Sequence, residues 1–383
     1  MKETIALIRS AIRGDEYDYT EGSIRKAILL LSIPMVLEMA MESLFAVVDA
    51  YFVAKVSPEA LATVGLTETV ITLVYSVAIG ISTAPVAMIS RYIGQKDAHN
   101  ASRVAKQAIY LAVGVSLLLG IPGVIFAADI LRFMGGSEAL INTGLRYTQI
   151  AFGSNMVIML LFLLNGIFRG AGDAAYAMRA LWISNGINIL LDPLFIFGWG
   201  PIPAMGVAGA AIATTIGRGL GVAYQLYILF GGRGTIQLRA GGWKLDWGIL
   251  KRLVRIASSG AMQYIIASAS WIFLMRIIAR FGDEAVAGYT VAIRLIIFTL
   301  LPAWGLSNAT ATLVGQNLGA QQPDRAIRSV QLAAIMAGIF LGIISIVYWI
   351  FAPSFIAFFD DTPAVEIAFA NWCIFAAWCN VWV

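Results

Sequence analysis

The sequence predicts an all-α polytopic membrane protein, made of two pseudo-symmetric six-helix bundles with the second bundle cut short. Composition, recurring apolar stretches of spanning length and an internal repeat carry that reading. Hydrophobic residues make up 60% of the 383 residues, charged residues only 13%, and the mean hydropathy is +0.82. A soluble domain carries about 25% charged residues. A water-soluble fold of this length would leave far too much of that apolar surface exposed.

Spans are read at roughly 28–54, 63–90, 105–127, 141–168, 177–199, 205–230, 254–279, 286–314, 329–352 and 364–383. Residues 1–27 form an arm before the first span, 28–232 a first lobe, 233–253 an inter-lobe loop and 254–383 a partial second lobe. No small-residue cleavage site follows an apolar core near the start, so a cleaved signal peptide is not expected.

Basic residues collect on one side. The arm carries Lys2, Arg9, Arg13, Arg25 and Lys26. Alternate loops carry Arg91, Lys96, Arg103 and Lys106, then Arg169 and Arg179, then Arg233, Arg239, Lys244, Lys251, Arg252 and Arg255, then Arg325 and Arg328. The opposite loops hold little beyond Lys55, Arg132, Arg146 and Arg280, among acids such as Glu59, Asp129, Glu138, Asp283, Glu284, Asp360 and Asp361. The positive-inside rule therefore puts the N-terminus in the cytoplasm of an inner-membrane protein. The net charge of +4 belongs to these loops and does not indicate nucleic-acid binding. Cys373 and Cys379 share one apolar segment and offer neither a disulfide framework nor a metal pattern, and His99 reads as a solvated loop residue.

Offset by 225 positions, the chain aligns with itself without a gap. Ala54-x4-Glu59-Ala60-x-Ala62 recurs as Ala279-x4-Glu284-Ala285-x-Ala287. Gly80-x-Ser82-x-Ala84-x9-Gly94-x6-Ala101-x-Arg103 recurs as Gly305-x-Ser307-x-Ala309-x9-Gly319-x6-Ala326-x-Arg328. An even number of spans per unit makes this a parallel repeat about an axis along the membrane normal, the arrangement of a transporter that rocks two bundles about a cavity. By the same offset nothing pairs with the fifth and sixth spans. A complete second lobe is thus expected to have about 75 further residues.

Several segments, in order, resemble the multidrug and toxic compound extrusion family, within the wider flippase-like superfamily. They are IPMVLEMAMESLFAVVDAYFVA, PEALATVGL, RYIGQKDAHNA, NGIFRGAGDA, LDPLFIFG, DEAVAGYTVAIRL and ATLVGQNLGA. The resemblance covers the chain from Ser32 onward and lies nearer the archaeal branch than the sodium-dependent one. It implies an antiporter with no cofactor, exporting cationic or amphipathic small molecules in exchange for H⁺ or Na⁺. It is expected to work as a monomer in the lipid bilayer, with no nucleic-acid partner.

The acids of LEMAMESLFAVVD need a reason, because a carboxylate at mid-helix costs roughly 2.5 to 3.5 kcal/mol on insertion scales. At 100° per residue Glu42 lies about 40° and Asp49 about 20° around from Glu38, one stripe spread over about 16 Å. Such a stripe faces protein or a water-filled cavity rather than lipid. On the fifth span Asn185, Asn188 and Asp192 again share a face, with Pro193 next to the acid. The resemblance places a functional acid at Asp49, joined by Asn188 and Asp192, with Thr214 as fourth member and Thr215 as its alternative. These would hold the proton, or Na⁺ at Asp49, Asn188 and Asp192. Glu38, Glu42, Asn185 and Gln263 are cavity or relay candidates, Glu38 and Glu42 equally open to a structural role. Arg218 and Arg294 read as packing or headgroup residues, and Glu68 as an acid that reaches water at the outer end of the second span.

In the second lobe, the seventh span IASSGAMQYIIASASWIFLMRIIARFG has no acid where the sodium-dependent branch carries one. Coupling is therefore expected in the first lobe, and by protons. The rival reading is a flippase for lipids or lipid-linked oligosaccharides, whose pyrophosphate calls for a cavity lined with Arg and Lys. No HExxH, GxSxG or paired-Asp motif lies in a span, which argues against an intramembrane enzyme.

Overall fold

The computed structural model describes residues 2–56, 58–135, 137–238, 243–278, 280 and 283–359. Within them lie α1 (Lys2–Arg13), α2 (Ile24–Ala54), α3 (Pro58–Gly94), α4 (Ala98–Ile125), α5 (Ala127–Phe133), α6 (Glu138–Gly153), α7 (Asn155–Ala171), α8 (Ala174–Phe197), α9 (Val207–Gly231), α10 (Trp247–Ile278), α11 (Asp283–Gly319) and α12 (Pro323–Phe359). Six are long and apolar enough to cross a membrane, or seven when the bent pair α6–α7 counts as one span. Among the described residues the only β pairing is an isolated bridge between Trp199 and Ile202. The span read at 364–383, with Cys373 and Cys379, lies outside the described residues, as does the side chain of Arg294.

The elements differ from the sequence reading in three places. The N-terminal arm contains a helix, α1, whose last carbonyls, on Ile12 and Arg13, accept from Arg179 at 3.0 and 2.7 Å. The stretch 141–168, read as one span, is two helices bent by 42° at Ser154. Phe152 beds on Gly120 and Gly123 of α4, where a Cβ would collide with it, and Asn155 Nδ2 donates to the Ser116 carbonyl at 3.3 Å. Those tertiary contacts hold the bend, and an apolar run does not reveal them. Finally, α10 begins at Trp247, inside the stretch read as inter-lobe loop. Its Asp246 accepts from the backbone N–H groups of Gly248 and Ile249 and pairs with Arg103 of α4 at 2.8 Å.

The repeat is visible in the packing. Gly80 lies against the backbone of Ala261, and Gly305, its counterpart, against the backbone of Val36, the counterpart of Ala261. Gly94 meets the carbonyl of Gln316, and Gly319 that of Arg91, again partners at the same offset. Ser90 packs on its own counterpart, Gly315, so the pseudo-two-fold axis passes between them. The turns after α3 and α11 match too: Lys96 and Gln321 both have φ 58° and, among the described residues, are the non-glycine residues with positive φ. A Cβ at any of the four glycines would push the backbones apart, as small residues at membrane helix crossings prevent.

These contacts seal the lobes together at the end that holds the N-terminus. Thr312 of α11 donates to the Arg169 carbonyl at 3.0 Å, and Gln316 donates to that of Gly170 at 3.4 Å. Arg325 donates to the carbonyls of Gly22 and Glu21 at 2.9 and 2.8 Å, fastening the arm to the second lobe.

Gly94→Ala and Gly319→Ala are each expected to loosen this seal. With Cys373 and Cys379 replaced by Ala, a cysteine introduced at the buried Ala309 should react several-fold faster with a maleimide in either variant than in the unaltered background. Asp246 gives a second test. The Ile249 and Gly248 amides and Arg103 hold its carboxyl below the usual carboxylate range. A depressed folded value contributes stability above the unfolded pKa of about 4 and loses it as the pH falls through the folded value. Asp246→Ala should therefore lower the melting temperature at neutral pH, and the gap from the unaltered protein should close towards pH 3.

Candidate functional site

The stripe on α2 faces the interior of the first lobe in three rungs, and each acid is matched differently. Glu38 is fully buried and ion-paired to Arg169 of α7. Asn165, one turn earlier on α7, also donates to Glu38 at 2.9 Å, and Gln225 of α9 donates to Asn165 Oδ1. Arg169, counted among the loop cations in the sequence reading, is instead a buried residue in the last turn of α7. A fully buried acid calls for a cation, and that requirement was the available signal for Arg169.

At the second rung Glu42 has both oxygens engaged. Asn185 Nδ2 donates to Oε2 at 2.8 Å, and Arg218 of α9 lies 3.5 Å from Oε1. Arg218, read as a packing or headgroup residue, is buried inside the lobe, donates to the Tyr75 hydroxyl at 2.6 Å and lies 5.5 Å from the ring centres of both Phe45 and Tyr75.

The third rung holds Asp49, Asn188, Asp192 and Thr214. Asp192 is fully buried and accepts from Asn188 Nδ2 at 3.3 Å, and the same amide donates to Thr214 Oγ1 at 3.0 Å. Thr215 is bonded to the Ala211 carbonyl of its own helix, which leaves Thr214 as the partner. The register between α8 and α9 is set by small residues. Gly209, Gly217 and Gly221 of α9 each touch a backbone carbonyl of α8, those of Phe195, Ser184 and Ala180. Asp49 lies within charge–charge range of Asp192, Glu68 and Arg218. At this rung three buried oxygens, Asp49 Oδ1, Asn188 Oδ1 and Asp192 Oδ2, have no hydrogen-bond partner within the protein, as is also true of Glu38 Oε2 and Gln225 Oε1 at the first rung. Glu68 is exposed. Gln263 is exposed on α10, and the first-lobe rungs are complete without it.

Outside the spans, Asp173 closes the NGIFRGAGD motif by accepting from the Thr235 amide at 2.7 Å and its hydroxyl at 3.0 Å. Burial pushes its carboxyl up to about 6 despite those bonds.

A family model, MatE, matches residues 34–194 and again 261–382, one match in each half of the internal repeat. The chain belongs to the MatE family. It is 27% identical over 342 residues to a probable multidrug resistance protein NorM of Thermotoga maritima, covering 89% of this chain and 74% of that one. A FAD transporter of Shewanella oneidensis is 26% identical, with coverage of 92% and 78%. Among solved structures, an outward-facing multidrug resistance MATE transporter of the MOP superfamily superposes with a TM-score of 0.87 at 26% identity, over 94% of this chain and 81% of that one. The chain is thus a multi-pass membrane transporter of small molecules in a multidrug efflux family, and not an enzyme.

Removing one partner of a buried ion pair costs about 3–5 kcal/mol, whereas replacing both with apolar residues is often near neutral. Glu38→Ala should therefore sharply lower the melting temperature of the purified protein, and Glu38→Met combined with Arg169→Met should recover most of it.

Proposed function

We propose that this MatE-family chain exports cationic or amphipathic organic compounds in exchange for protons, with the exchange site at Asp49, Asn188, Asp192 and Thr214. The observation that supports it best is the trio of unpartnered buried oxygens at Asp49, Asn188 and Asp192. An unsatisfied buried polar group costs about 1–3 kcal/mol, and more when charged. A proton, a sodium ion or a cationic compound each relieves that cost, and they exclude one another. Mutual exclusion at a site that faces the two sides in turn is antiport. The proton is favoured over Na⁺ because the seventh span lacks an acid, so the exchangeable acids lie in the first lobe. No cofactor and no nucleic acid enters this scheme, and one chain acting as a monomer holds all four residues.

The distribution of basic residues supports an inner-membrane location with the N-terminus in the cytoplasm. The sealed end is then the cytoplasmic one, and the cavity opens outward. A flippase for pyrophosphate-linked lipids fits less well, because the first lobe presents four acids to the single Arg218 once the Glu38–Arg169 pair is set aside.

Asp49→Asn should abolish efflux of a cationic dye with normal expression and folding, and wild-type efflux by that variant would refute the assignment. In proteoliposomes, an imposed pH gradient should drive dye efflux and an imposed Na⁺ gradient should not. The opposite result would make Na⁺ the coupling ion.

A further inference from the structure

The exchange chemistry of Asp49, Asn188 and Asp192 leaves Arg218 without a task. Its guanidinium is buried, reaches from α9 to α2, and is held by Glu42, by the Tyr75 hydroxyl and by two aromatic rings. Filling space alone would be done more cheaply by Met or Leu, which carry no charge to desolvate. An arginine also stays charged at any ordinary pH. Unlike a bound cation, it is covalently attached and cannot leave.

The consequence falls on Glu42. Its side chain is 32% exposed, so it borders open space, yet Arg218 and Asn185 already engage both oxygens. A mobile cation arriving at this level meets an acid that is already neutralised. One entering the next rung meets Asp49 and Asp192, with the positive charge of Arg218 still in range of Asp49.

We propose that Arg218 is a specificity-determining residue, a tethered counter-cation that withdraws Glu42 from exchange and restricts the first-lobe pocket to organic cations of single charge. The inference rests on the reading of that pocket as a cation-exchange site. Because Glu42 offsets Arg218, the effect is read when the pair is broken: at a separation of about 10 Å and an effective dielectric constant of about 20, one unit of net charge gained or lost at this rung changes binding by roughly tenfold for each charge on the ligand.

Ethidium and propidium test this directly, because they share a ring system and carry one and two positive charges. Both are titrated by fluorescence onto the purified protein at fixed pH and salt. The unaltered protein should prefer ethidium. Arg218→Met should raise propidium affinity about tenfold more than ethidium affinity, Arg218→Lys should leave the preference in place, and Arg218→Met with Glu42→Gln should restore it. An unchanged ratio in a correctly folded Arg218→Met protein overturns the proposal. If that variant does not fold, Glu42→Gln decides: with Arg218 unpaired, propidium should weaken more than ethidium, and equal weakening or none overturns it. Asp49→Asn separates the two levels of inference. If it binds both dyes normally, the exchange-site reading fails. If it abolishes binding while the dye ratio ignores Arg218, only the tethered-cation proposal fails.

Discussion

Charge inside a membrane has to be balanced within the protein, and the first lobe is arranged around how each acid on α2 meets that requirement. Glu38 has a permanent partner, Arg169, supported by Asn165 and Gln225. Glu42 has a tethered one, Arg218. Asp49 and Asp192 each have an unpartnered oxygen, as Glu38 does, but among the described residues neither is ion-paired to an arginine or lysine. The three rungs are spread over about 16 Å of one helix, and the proposed exchange site is the one without a fixed cationic partner. A carboxylate with a fixed partner cannot couple transport, because nothing leaves. In the proposed exchange, one without a fixed partner recruits a proton or a cation from outside, which would link its charge state to the gradient.

The second constraint is backbone proximity at the lobe boundary. Gly80, Gly94, Gly305 and Gly319 sit where two helices touch main chain to main chain, and the symmetry makes each contact twice. This explains why the repeat preserves those residues in phase while the surrounding aliphatic residues drift. Leu, Ile and Val are nearly interchangeable against lipid, whereas a backbone contact admits only Gly.

Most of the fold was legible because a spanning helix needs a long apolar run, and such runs are visible one residue at a time. The break at Ser154 was not, since a bend held by Phe152 against two glycines on another helix leaves the run apolar on both sides. Helix α1 was missed for the opposite reason: it is short and basic, and it reads as a loop until Arg179 is seen at its C-terminus. The acids and amides of the site were legible from helical periodicity, and Thr214 was separable from Thr215 only by its bond to Asn188. The buried acids called for cations, but which arginines answer them was not legible. A charge count assigns Arg169 to the loop beside it, and the reach of a long side chain back into its own lobe has no period to detect.

The same charge pattern bears on how the lobes move. The buried pair Glu38–Arg169 and the half-buried pair Glu42–Arg218 both lie wholly within the first lobe. Across the boundary, the contacts among the described residues include hydrogen bonds from Thr312, Gln316 and Arg325 to backbone carbonyls, bonds of Gln107 and Tyr110 to the backbone of residues 243–246, and a pair between the exposed Arg103 and the half-buried Asp246. Water can replace each of these as the lobes part. The Glu38–Arg169 and Glu42–Arg218 pairs can therefore stay intact as the lobes part, so the penalty of breaking them does not fall on such a motion. The seal on the N-terminal side involves Met35 and Val36, and the exchangeable acids begin beyond Glu38, on the other side of it. On the proposed exchange reading, opening the seal would alter the access of Asp49 and Asp192 without altering their immediate neighbours, so that the two states differ in which solution supplies the cation.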